Sequence, residues 1–206
     1  MRKSRSGARL VYGALDVKGW LERTPSVEEA RPGRCPRCEA ASRPAGRALG
    51  LWGHGVRERQ QRGPLEPFGE PVTVVVQVRR YVCRACRAVV QVVPRGVVAW
   101  RLFSAAAIGL ALTLFGVGGC AMSAVRERVS PWRHVGASAV ESWLALRRWI
   151  GAIREGRLFT CVRPAPACFT ARQMAERAAM TLGALAPDLT SGVLEARVFA
   201  GAALAR

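Results

Sequence analysis

Acidic side chains are scarce in this chain: 14 Asp and Glu stand against 32 Lys and Arg over 206 residues. Only two of the acids are aspartates, Asp16 and Asp188, at opposite ends of the sequence. Metal-dependent strand cleavage through two ions needs a cluster of carboxylates. Neither a nucleophile paired with a base nor a glycine loop for phosphates is visible as a substitute, so the expectation is a protein that is not an enzyme. Lysine is nearly missing as well, Lys3 and Lys18 being the only two, and the basic surplus is carried by arginine. A GC-rich coding bias accounts for arginine in place of lysine; it does not account for the missing acids. Histidine is limited to His54 and His134. The first thirty residues hold no uninterrupted apolar core of about 7–15 residues, as a signal peptide requires, since Asp16 and Lys18 break the one candidate. A cytoplasmic setting with reduced thiols is therefore expected.

What the chain does have is two Cys-x-x-Cys pairs, Cys35/Cys38 and Cys83/Cys86, with residues 39–82 looped out between them. Zinc takes four ligands tetrahedrally at about 2.3 Å from sulfur, and the two-residue spacing lets one short loop offer both thiolates to the same ion. A single pair is weak evidence; two pairs specify a tetrathiolate site. The expected cofactor is Zn2+ on Cys35, Cys38, Cys83 and Cys86. The intervening segment is far longer than the roughly 15–20 residues of a compact four-cysteine finger, so it must carry structure of its own, which favours a zinc ribbon. A redox dithiol would sit at a helix N-terminus beside a βαβ pattern, whereas Arg79–Val82 reads as the end of a strand. Structural disulfides would require export. Glu39 and Arg87 stand after the second cysteine of each pair, where a positive φ makes glycine convenient, so strained turns are expected there. His54, inside the looped-out segment, is an alternative ligand. Cys120, Cys161 and Cys168, unpaired and among apolar or small residues, are expected to be buried thiols.

The clearest strand is Val72, Val74, Val76 and Val78, alternating with polar residues at period two. Residues 88–93 read as its returning partner, and 49–52 and 56–61 as weaker strands before a loop marked by Pro64, Pro67, Gly69 and Pro71. Residues 102–125 carry no charge, and about 20 apolar residues can span a bilayer, so a membrane anchor is one reading. Four glycines interrupt that run, and the stretch 102–115 has the length of a buried core helix. A second helix is expected over 121–129. A third follows a capping box at Ser138 and Glu141, with Trp143, Leu146, Ile150 and Ile153 inward and Arg147, Arg148 and Arg154 off the stripe. Thr170 and Gln173 form another capping box, opening a helix with Met174, Ala178, Leu182 and Leu185 inward, and residues 193–204 form a last apolar helix. Residues 24–33 read as a short helix begun at Ser26 and ended by Pro32-Gly33.

The formal charge of +18 is spread along the chain, which suits a surface that neutralises phosphates over some length. With these motifs in view, residues 34–157 resemble the N-terminal zinc-ribbon and helix-turn-helix region of bacterial insertion-sequence transposases and the small proteins related to it. The resemblance rests on Cys-Pro-x-Cys at Cys35–Cys38, His54-Gly55 followed by Arg57, Arg79-Arg80-Tyr81-x-Cys-x-x-Cys, and an apolar helix with a glycine turn. Together with the patterns above, the expectation is an α+β fold: an antiparallel zinc ribbon (34–96) after an N-terminal arm (1–33), then a helix-turn-helix-like region (101–157) and C-terminal helices (168–206). The resemblance further implies recognition of DNA, with Arg57, Arg59, Arg79 and Arg80 on phosphates and Arg147 and Arg148 on the third helix as a second anchor; the separate catalytic domain of such transposases is not expected here, because the carboxylate cluster is missing. The other readings are an interaction protein dimerising through its C-terminal helices, and a membrane-anchored ribbon.

Overall fold

A computed structural model of the chain describes residues 9–132, 143–188, 190 and 192–205. The fold is α+β, a four-stranded mixed sheet and six helices among the described residues. They separate into two compact units, one from residues up to 60 together with 75–95, the other from 61–74 and 96 onward.

The first unit is built on the sheet, whose strands are β1 (Arg9–Asp16), β2 (Leu51–Gly63), β3 (Val72–Cys83) and β4 (Val89–Arg95), in the order β1-β4-β3-β2. The ends of β2 and β3 beyond Gln60 and before Val75 belong to the second unit. Strand β4 is central and buried from Val90 to Pro94, as expected for a strand with neighbours on both edges. It runs antiparallel to β3, with Tyr81 opposite Val90, and parallel to β1, with Val11 opposite Val92. The parallel pair is what the sequence reading missed. From sequence, residues 9–16 belong to an N-terminal arm and the ribbon has antiparallel strands alone; Gly13 in the middle of the run hides its strand character. The register of β1 against β4 shifts between Tyr12 and Asp16, next to Pro94, which has no amide hydrogen to donate to a ladder.

Asp16 then caps α1 (Val17–Glu22), its carboxylate accepting from the Gly19 amide at 2.8 Å. The helix buries Trp20, whose indole N–H donates to the Gln77 carbonyl at 2.9 Å. One of the two aspartates is thus spent on a helix start. The expected helix at Ser26 is a single turn: Ser26 and Glu29 exchange side-chain and backbone hydrogen bonds as a capping box, and the segment then clamps β3. The Arg79 Nε donates to the Pro25 carbonyl at 2.8 Å and the Tyr81 hydroxyl to the Val27 carbonyl at 2.7 Å.

The second unit is helical. Helix α2 (Ala105–Gly116) is capped by Ser104 and buries eleven of its twelve residues, which is why it carries no charge. Around it pack α3 (Met122–Val129), α4 (Leu144–Arg154), α5 (Ala171–Gly183) and α6 (Leu194–Leu204). The glycines allow close approach: a Cβ at Gly116 would lie 2.3 Å from the Glu176 amide nitrogen, and one at Gly201 would lie 1.9 Å from the Leu182 carbonyl oxygen. No helix among the described residues is long and apolar enough to cross a membrane. The Thr170–Gln173 capping box forms as expected, and Met174, Ala178 and Leu182 are buried within the chain, whereas Leu185, expected inward, lies past the helix end at Gly183 and is exposed. The capping box at Ser138 and Glu141, and His134, lie outside the described residues. The apolar stripe of α4 is joined by Trp149, which meets Phe103 and Trp143 edge-on at centroid distances of 5.0 Å each.

The three unpaired cysteines correct the sequence reading. Cys161 and Cys168 are exposed and Cys120 is half-buried. All three fall in turns or loops rather than on helix faces, and neighbours such as Phe159 and Val162 take the buried positions.

Candidate metal centre

Two short loops bring the four paired cysteines together, and the loops share one construction. In the first, the Cys35 amide donates to the Ala40 carbonyl at 3.0 Å and the Glu39 amide to the Cys35 carbonyl at 2.9 Å. In the second, Cys83 donates to Ala88 at 3.0 Å and Arg87 to Cys83 at 2.9 Å. Each turn closes through a residue in the left-handed region, Glu39 at φ 57° and Arg87 at φ 59°, the positions where strain was expected. The second loop sits between the ends of β3 and β4, so the sheet fixes Cys83. The first is held by the Arg34–Ala41 bridge and by a relay in which the Arg84 amide donates to Gly50 and the Gly50 amide to Ser42, both at 2.8 Å. Gly50 is required there, because a Cβ would lie 2.2 Å from the Ala41 carbonyl oxygen.

The result is four Sγ atoms within 4.8 Å of one another, with Cys35 to Cys86 and Cys38 to Cys83 at 3.7 Å. Four sulfurs bound to one tetrahedral ion at about 2.3 Å stand about 3.8 Å apart, so the spacing fits a metal tetrahedron. Cys35 and Cys83 are fully buried and Cys38 faces solvent. Burial opposes ionisation of Cys35, but the Arg37 and Cys38 amides, helped by the facing Cys83 and Cys86 thiols, outweigh it and bring it down to about 7. At Cys38 the Ala40 amide favours the thiolate, yet Cys86, burial, Cys83 and Cys35 together push it up to about 12. Crowded thiols cannot all ionise unaided; a bound cation lets them. Among the described residues these four cysteines are the group able to hold a metal ion, and His54, exposed on β2, is outside it.

The arginines expected to contact DNA fall into two sets. Arg57 on β2 and Arg147 and Arg148 on α4 are exposed. Arg59, Arg79 and Arg80 are half-buried; Arg79 is engaged with Pro25, and burial together with the Arg57 charge pushes the Arg59 pKa down. The sequence reading passed over the arginines inside the cysteine motifs themselves. Arg34, Arg37, Arg84 and Arg87 flank or separate the thiols and all four are exposed, with the Arg84 guanidinium 5.1 Å over the half-exposed Trp52 ring. Their signal was in plain view, as the variable and flanking positions of Cys-x-x-Cys. No family model, curated protein or solved structure matches this chain.

Proposed function

We propose that this chain is a zinc-stapled DNA-binding module, related to the N-terminal region of insertion-sequence transposases and without catalytic machinery of its own. Four cysteine ligands in a closed set are the donor chemistry of a structural zinc site, since a catalytic zinc keeps an open position. The observation that carries the DNA reading is the set of exposed arginines at the two cysteine loops, Arg34, Arg37, Arg84 and Arg87, in a chain of net charge +18. The loops fix the backbone of these residues, so each guanidinium can meet a phosphate oxygen with less ordering than on a free loop. Such contacts position a protein on DNA, and sequence reading would fall to other side chains.

The test is binding of the zinc-loaded chain to mixed-sequence duplex DNA, followed by fluorescence anisotropy across a salt series. Contacts to several phosphates make log K fall linearly with log salt at about 0.9 per phosphate. Replacing Arg37 and Arg84 together by Ala should lower that slope by about one to two units and weaken all sequences alike. Binding indifferent to salt, or unchanged in the double variant, would reject the reading and favour a protein-interaction module.

A further inference from the structure

The second unit contains a cleft of ≈370 Å³ lined by Arg101, Arg148, Gly151, Ala152, Glu155 and Arg157. Three guanidiniums face one carboxylate, and that carboxylate is engaged, since Arg157 Nε donates to Glu155 at 2.5 Å. Burial and the neighbouring Arg157 charge push the Arg101 pKa down, the environment an incoming anion would relieve. Arg148, Gly151 and Ala152 of this lining lie on α4. Gly151 lies inside that helix, where glycine costs helix stability, and packing does not explain it: a Cβ there would meet nothing within 4 Å. The space is left open. Immediately before Arg101 stands Trp100, 93% exposed and held at φ 61°. An indole in the left-handed region with almost no protein contact is strained without any packing return.

We propose that this cleft and Trp100 form a subsite for single-stranded nucleic acid, the arginines taking a backbone phosphate and the indole stacking the adjoining unpaired base. Stacking on an exposed aromatic beside a cationic groove is how strands are held without sequence readout, and the planar guanidinium fork matches phosphate oxygens. The inference rests on the nucleic-acid reading above and narrows it, because a paired base has no free face for Trp100.

The zinc-loaded full chain is titrated with a short oligothymidylate, with duplex DNA and with thymidine monophosphate, using tryptophan quenching and anisotropy. Three variants are compared with the parent. Trp100→Gly removes the ring and suits the positive φ, so its thermal midpoint should be equal or higher while oligothymidylate affinity falls about tenfold. Gly151→Leu places a side chain where a Cβ meets nothing within 4 Å and should weaken oligothymidylate binding while the thermal midpoint stays that of the parent. Arg148→Ala should lower the single-strand salt slope by about 0.7, one phosphate contact. Duplex affinity should be nearly unchanged in Trp100→Gly. If all three variants bind oligothymidylate as the parent does while duplex binding persists, the subsite is wrong and the proposed function stands. If the parent binds neither nucleic acid, both fall. Thymidine monophosphate binding as tightly as the oligomer would assign the cleft to a free mononucleotide and overturn the strand reading. A lowered thermal midpoint in Trp100→Gly would make the ring structural and likewise overturn it.

Discussion

Each unit is stabilised internally by different means. The second has a contiguous apolar core running from Ala105 to Ala202, in which helix α2 is enclosed by the others. The first buries a smaller set, chiefly Trp20, Leu51, Val76, Val78, Tyr81 and the valines of β4. It supplements them with side-chain bonds to backbone carbonyls from Trp20, Arg79 and Tyr81, and with four converging thiols. Small domains with little apolar burial commonly need a metal or a crosslink. The difference predicts that a metal held by those four thiols would stabilise the first unit and leave the second unaffected.

The sharpest way to break that comparison is to remove the metal. A structural zinc site contributes on the order of 10 kcal/mol or more of folding free energy, so a strong chelator, or Cys83→Ser, should abolish protection from hydrogen exchange in β3 and β4. The amides of α2, α5 and α6 should stay protected, with most of the helical circular dichroism retained. Acidification should act in the same direction, because the ligands must be deprotonated to bind. Equal protection in both units after chelation would show that the sheet stands without metal. The reverse experiment is smaller: Leu182→Ala, at a fully buried position of α5, should destabilise the second unit by about 2–5 kcal/mol. Metal content per chain should not change, and a loss of metal in this variant would mean that the two units unfold as one.

Much of both units was legible from sequence where a local rule sufficed. The cysteine spacing identified the four thiols that converge closely enough to hold a metal ion, period-two valines marked the core of β3, and Thr170 with Gln173 marked the start of α5. Local rules failed where a partner distant in sequence decides the structure. Strand β1 exists because β4 offers it an edge about eighty residues later, and its own residues, broken by Gly13, say little. The segment around Ser26 looked like an isolated helix start, but its place is fixed by Arg79 and Tyr81 on β3. Burial was misjudged in the same way at Cys161 and Cys168, whose small, apolar neighbourhood in sequence is a turn in space. Trp100, whose exposure no pattern announces, lies at the same limit.

The smallest effect probes the cysteine loops themselves. Both loops place a residue bearing a Cβ in the left-handed region, Glu39 and Arg87, where the side chain crowds the following carbonyl and the strain is about 1 kcal/mol or more. Glycine removes the crowding but gains freedom in the unfolded chain, so the net benefit of Glu39→Gly or Arg87→Gly is smaller, about 0.5–1 kcal/mol each. The gain should appear as slower metal loss to a chelator and a higher melting temperature of the first unit alone. The two substitutions should diverge in binding, because Arg87 belongs to the exposed arginine set and Glu39 does not. Arg87→Gly should weaken duplex binding and flatten its salt dependence, whereas Glu39→Gly, which removes a negative charge beside the same centre, should strengthen binding slightly. If both stabilise and neither alters binding, arginine at this position serves no ligand, and the exposed charge at the metal centre is only a solvated surface.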